Sequence, residues 1–188
     1  MTRILGIDCS STTIGYGVLD IDANNNISLV AVSYLKPNKK GSIIERIVST
    51  RDEIQKIMNK YQPDLIGIED IIQFMQGKST AKTIITLTTF NRMIGLCAFD
   101  FLKKSPSLFN VMTIRHGLKL NKTLPKKEDI PELVAHHLKI TFPYERSAKG
   151  KKKGAIKIEN FDMADGLAVA LYYAFIVTGK IKRKNKVL

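Results

Sequence analysis

Apolar and polar positions change period several times along the chain, and each change marks an element. Residues 3–8 (RILGID) form a short apolar run closed by an aspartate, the pattern of a buried strand. Residues 14–21 (IGYGVLDI) and 27–34 (ISLVAVSY) are again strand-like, with the turn-forming Asn24-Asn25-Asn26 between them. The three predict an antiparallel opening. Ser42 followed by Glu45 is a capping-box signature, and Ile43, Ile44, Ile47, Val48, Ile54, Ile57 and Met58 then recur at helical spacing up to Tyr61. Pro63 follows the stop, and residues 64–69 (DLIGIE) predict a second buried strand, also ending on a carboxylate. Residues 79–102 place Ile84, Leu87, Phe90, Ile94, Leu96 and Phe99 on a long helix, though threonines weaken its first half. Residues 109–114 predict a further strand. Pro131 limits a helix starting near 128–131, with Ile130, Leu133, Val134, His137 and Leu138 on its apolar side. A last helix over 161–177, capped by Asn160, carries Ala164, Leu167, Ala168, Leu171, Tyr172 and Phe175 toward the sheet.

This order predicts an α/β fold: a mixed sheet with an antiparallel opening, then alternating helices and strands. With 188 residues, no internal repeat and no linker, the expectation is one domain over residues 1–179 and a basic tail over 180–188. Two cysteines, Cys9 and Cys97, are too few for a disulfide framework or a four-cysteine zinc site. The amino terminus has no long apolar leader, and no uncharged apolar run of 18 residues exists, so no membrane span is expected.

Charge changes the picture more. The chain holds 30 Lys+Arg against 17 Asp+Glu, a formal net charge of +13, which points to a polyanionic partner rather than a small neutral metabolite. The excess is regional. Residues 1–102 hold 11 basic and 10 acidic side chains; residues 103–153 hold 13 and 4; residues 154–179 hold 1 and 3; the tail holds 5 and none. The densest run is Lys149, Lys151, Lys152 and Lys153 around a glycine, read as a loop that is either simply solvated or in contact with a polyanion.

Four acids stand apart from this. Asp8 and Glu69 end the two buried strands, and Asp162 and Asp165 share a face in the first turns of the last helix. Each alone has an ordinary reading: a strand-end turn, an exposed acid beside Asp70, a charge on a helix dipole. As a set, with the strands adjacent and the helix start above them, they converge. Converging carboxylates without basic partners repel, and hard divalent cations relieve that repulsion, with oxygen ligands suited to Mg²⁺ or Mn²⁺. Such a cluster beside polycationic segments suggests phosphodiester hydrolysis with two ions per site.

The same residues resemble a known family. GIDCSSTTIGYGV at 6–18 is similar to the opening GIDPG…GYGV of the RuvC-type Holliday junction resolvases, IGIED at 66–70 to their second acidic strand, and DMADGLAVA at 162–170 to their terminal DAADALAVA. The resemblance runs from Arg3 to about Ile176. It implies an RNase H-like fold with a five-stranded sheet, and Asp8, Glu69, Asp162 and Asp165 as the catalytic, metal-holding acids. It further implies a homodimeric, Mg²⁺-dependent endonuclease (Mn²⁺ substituting) that makes paired nicks in branched DNA, leaving 5′-phosphate and 3′-hydroxyl ends. DNA contacts would fall to Phe74, read as a stacking wedge or else a core residue, and Lys78. Arg115 would leave the fifth strand, with Lys119 and Lys122 in the loop after it. Lys126 or Lys127 would open the next helix, where a lysine would bind the scissile phosphate or offset transition-state charge. Lys149, Lys151, Lys152 and Lys153 are added as polyanion contacts by their charge alone, not by the resemblance. Two other readings stay open: a related nuclease cutting forks, flaps or RNA-containing duplexes, and a non-catalytic junction-binding protein. An actin-like kinase shares the opening hairpin, but its two-lobed body does not fit in this length. Cys9-Ser10 replaces the family's Pro-Gly, and residues 141–158 are longer and more basic than the pattern, as in a divergent, phage- or mobile-element-type member. Cytoplasmic or nucleoid-associated action is expected, in the host cytoplasm for a phage protein.

Overall fold

A computed structural model describes residues 1–71, 80–148 and 153–181. The opening strands are β1 (Thr2–Asp8), β2 (Ile14–Ile21) and β3 (Ile27–Leu35), followed by α1 (Ile43–Tyr61) and β4 (Leu65–Glu69). Then come α2 (Ala81–Leu102), β5 (Ser107–Phe109), α3 (Val111–Leu118), a 3₁₀ turn (Lys127–Asp129), α4 (Ile130–Leu138) and α5 (Glu159–Val177). The five strands lie in the order β3-β2-β1-β4-β5. β1–β2 and β2–β3 are antiparallel, while β1–β4 and β4–β5 are parallel. This is the mixed five-stranded α/β arrangement of an RNase H-like fold, with helices on both faces.

Alternation along β1 sorts the core. Leu5 and Ile7 join Ile54, Met58, Phe90 and Ile94 under α1 and α2, whereas Ile4 joins Leu167, Ala170 and Leu171 of α5 and the side chains of α3 and α4 on the other face. α1 begins as its sequence dictates: the Ser42 side chain accepts from the Glu45 N–H, and Glu45 reaches back to the Ser42 N–H.

α5 lies against the sheet backbone to backbone. A Cβ on Gly15 would fall 1.7 Å from the Asp162 carbonyl oxygen, and one on Gly166 would fall 2.5 Å from Gly15. The glycines of the opening hairpin and of the last helix are therefore one seat, which sets the depth at which α5 rides. Gly15 is also the cross-strand partner of Asp8, so that seat carries Asp162 to the end of β1.

Two local expectations are corrected. The strand expected over 109–114 stops at Phe109, because the Asn110 side chain accepts from the Met112 N–H at 2.8 Å and starts α3. Asn160 does not cap α5; it lies within the first turn, fully buried, and clamps a hairpin. Its side-chain oxygen accepts from the Glu145 N–H (2.7 Å), and its amide donates to the carbonyls of Glu145 (2.8 Å) and Lys157 (2.7 Å). Above the clamp, Arg146 bridges Ile156, and the Ser147 N–H donates to Ala155. By length and composition alone, α2 and α5 fall in the range of bilayer-crossing helices, a range that core helices also reach. In its most apolar window α5 is 72% buried as the core helix, and α2 is 33% buried.

Candidate active site

Asp8 ends β1, Glu69 ends the adjacent parallel strand β4, and the first turns of α5 bring Asp162 and Asp165 over the β1–β2 hairpin. Carboxylate oxygens of Asp8, Asp162 and Asp165 lie within 4.8 Å of one another. Asp165 is only 8% exposed, and the other three acids are half-buried.

Burial and mutual repulsion raise these acids. Burial, with the neighbouring charge of Asp165, pushes Glu69 up to about 7, although Arg115 and Lys127 pull the other way. Burial lifts Asp165 to about 6 against Lys127 and Arg115, and Asp8 rises through burial and the charges of Glu69 and Asp165.

The cluster has a basic partner, Lys127, one of the two lysines that the family resemblance places near the last acids. Lys127, projecting from the 3₁₀ turn, donates from Nζ to Asp162 Oδ1 at 2.8 Å and lies 3.4 Å from Asp165 Oδ2. Burial works against its charge, but the hydrogen bond to Asp162 and the charges of Asp165, Asp162 and Asp8 hold its proton on above the ordinary lysine range. The acids and the basic segment are thus not spatially separate.

The other predicted positions divide. Arg115 sits within α3 rather than at a strand end, close enough for its charge to act on Glu69 and Asp165. Its Nε is buried with no hydrogen-bond partner among the described residues. Lys126 is exposed, and its backbone N–H donates to Asp129 at 2.9 Å. Lys119, at the end of α3, and Lys122, in the loop beyond, are exposed and no hydrogen bond or ion pair joins either side chain to the acids. Lys153 is exposed on the hairpin; Phe74, Lys78, Lys149, Lys151 and Lys152 lie outside the described residues.

One supporting residue escaped the sequence reading. Asn91 on α2, 1% exposed, donates from Nδ2 to the Glu69 carbonyl at 2.9 Å, just where the strand ladder ends. The available signal was a polar side chain next to Phe90 in an otherwise apolar helical stripe.

The donor set fits a hard divalent cation. All the groups are carboxylate oxygens, and an octahedral Mg²⁺ with bonds of about 2.1 Å separates opposite ligands by about 4.2 Å. The fold and this acidic centre define an RNase H-like protein with a candidate metal site. The family model described as crossover junction endodeoxyribonuclease RuvC matches residues 4–145, and the chain belongs to that family.

Among curated relatives, the RuvC of Fusobacterium nucleatum is 38% identical over 106 residues, 54% of this chain and 55% of that protein. The RuvC of Finegoldia magna is 26% identical over 148 residues, 71% of this chain and 88% of the relative. The chain spans about half the length of the Fusobacterium protein and of the Acidobacterium capsulatum protein, 55% and 50% respectively. In fold it is similar to Thermus thermophilus RuvC solved with a Holliday junction substrate, with a TM-score of 0.68, 17% identity, and 94% and 95% of the two chains covered. The yeast mitochondrial Holliday junction resolvase Ydc2 gives a TM-score of 0.66 at 15% identity, covering 97% of this chain and 82% of its own.

Proposed function

We propose that the protein is a metal-dependent endonuclease that resolves four-way DNA junctions. The observation that carries this is the convergence of Asp8, Asp162 and Asp165, with Glu69 beside them, at the end of β1 in a member of the RuvC family. Asp8, Glu69, Asp162 and Asp165 are the catalytic acids and would hold the metal, two Mg²⁺ or Mn²⁺ ions per site. When bound, such a pair activates water for in-line attack on a phosphodiester and stabilises the leaving oxygen.

The remaining roles belong to the chain itself. Asn91 fixes the peptide plane that follows Glu69. Arg115 and Lys127 place positive charge beside the carboxylates, where a scissile phosphate would approach. Phe74 and Lys78 would meet the junction centre, while Lys119, Lys122, Lys126 and the Lys149–Lys153 run would meet phosphates of the arms. This makes affinity largely electrostatic and recognition a matter of branch geometry.

A single domain over 1–179 would act as a homodimer, so that two sites face opposed strands. Dimerisation is supported by α2, where exposed Ile85, Leu96 and Phe99 lie on one face of the helix.

The test compares purified protein on a four-way junction, a fork, a flap, an RNA–DNA duplex and linear DNA at defined salt, with and without Mg²⁺. Paired, Mg²⁺-dependent nicks in the junction are expected, and Asp8→Asn or Glu69→Gln lowers cutting by at least about a thousandfold while junction binding persists. Preferential cutting of forks, flaps or hybrids would move the substrate to a related structure. Binding with no cutting in any metal would make the protein a junction binder.

A further inference from the structure

Lys127 touches the carboxylates in a manner that bears directly on metal loading. Its ammonium lies 2.8 Å from Asp162 Oδ1 and 3.4 Å from Asp165 Oδ2, so it uses oxygens of two of the three acids that converge on the candidate metal position. Those lone pairs are the ones a divalent cation would require. An ammonium and a hard dication cannot both occupy the same carboxylate face at short range without strong repulsion.

The anchorage of the lysine is one-sided. Its side chain is 45% exposed, against 21% and 10% for Asp162 and Asp165. It is carried by a three-residue turn, not by a core strand. That turn is fixed independently of the ammonium, through the Lys126 N–H donating to Asp129 and the Asp129 N–H donating to the Lys126 carbonyl. The acids are therefore the rigid partner, seated by β1 and α5, and the lysine is the partner able to leave by side-chain rotation. No backbone need unfold for the exchange.

We infer that Lys127 is an exchangeable internal counter-ion of the acidic centre, which a divalent cation must displace from Asp162 and Asp165 in order to bind. The inference rests on the metal-site reading above and deepens it. Metal affinity then becomes the difference between two cations competing for one set of oxygens, and Lys127 sets it. The exchange moves no covalent bond. The ammonium leaves still protonated, and the site takes up the dication in its place.

The prediction runs opposite to that for an ordinary supporting residue, whose loss weakens the site. Mn²⁺ binding to the full chain, measured by isothermal titration calorimetry without DNA, tightens at least tenfold in Lys127→Met, which keeps the apolar stem and removes the charge. Lys127→Gln tightens it in the same direction, and Lys127→Arg, which retains a cation, stays within about threefold of the wild type. The Asp162→Asn variant reports on the underlying reading. If Mn²⁺ binding is undetectable in wild type and in Lys127→Met alike, or unaffected by Asp162→Asn, the metal-site reading fails and the exchange falls with it. If Asp162→Asn abolishes binding while Lys127→Met and Lys127→Gln, folded by circular dichroism, bind Mn²⁺ no more tightly than wild type, the site stands and the exchange is overturned.

Discussion

Glu69 and Asp165 hold protons at pH values where exposed acids would not, since their carboxyls stand at about 7 and about 6. At these two sites the folded chain binds more protons than the unfolded chain between about pH 4 and 7, so their contribution to stability falls as pH rises through that window. Chelator-treated protein should melt several degrees lower at pH 7.5 than at pH 5.5, and Mg²⁺ at pH 7.5 should recover most of the loss. A melting temperature flat across this range, with no Mg²⁺ effect, would show that the carboxylates are not coupled as described. At the same scale, Asn91→Leu leaves the Glu69 carbonyl buried without its donor, a cost of about 1–3 kcal/mol. It should also weaken Mn²⁺ binding several-fold, whereas a purely structural role would lower the melting temperature alone. The four acids were legible as residue types at the ends of apolar runs. Asn91 was not, because a helical asparagine acquires meaning only from what it touches; Lys127 was legible as a lysine opening the next helix, but its ion pairs with Asp162 and Asp165 were not.

At the scale of elements, the site depends on how deeply α5 sits. Gly15 and Gly166 admit the helix backbone to the sheet, and Asp162 and Asp165 arrive at Asp8 because of that depth. Gly15→Ala should destabilise the fold by about 3 kcal/mol in urea unfolding and, in the fraction that folds, loosen Mn²⁺ binding. Unchanged stability and affinity would mean that α5 is not seated on Gly15. Periodicity located nearly all of these elements, including the capping box at Ser42, since 3.6- and 2-residue repeats are properties of the local chain. It misread residues 109–114, where apolar side chains suit a strand but the Asn110 cap begins a helix. It also misread Asn160, whose chemistry suits a cap and whose burial makes it a clamp on the hairpin at 145–157.

Over the whole molecule, the charge of +13 is unevenly placed, and its consequence is electrostatic. Junction binding should fall steeply with salt. Neutralising Lys153, or the exposed Lys122, should each reduce the log–log salt slope by about 0.9 if that residue meets a phosphate, as fluorescence anisotropy across a salt series would read. An unchanged slope would remove that lysine from the interface. The sequence by itself determined the alternation of elements, the sheet's antiparallel opening, the regional charge and the four acids, because each is written in local order, spacing or composition. Only the tertiary structure decided that Lys127 enters the acidic centre, that Arg115 approaches it from a helix, that Asn91 holds the end of β4 and that glycines from both ends of the chain form one seat. Those relations join residues far apart in sequence. They are fixed by which surfaces pack and how closely, a property that no local pattern encodes.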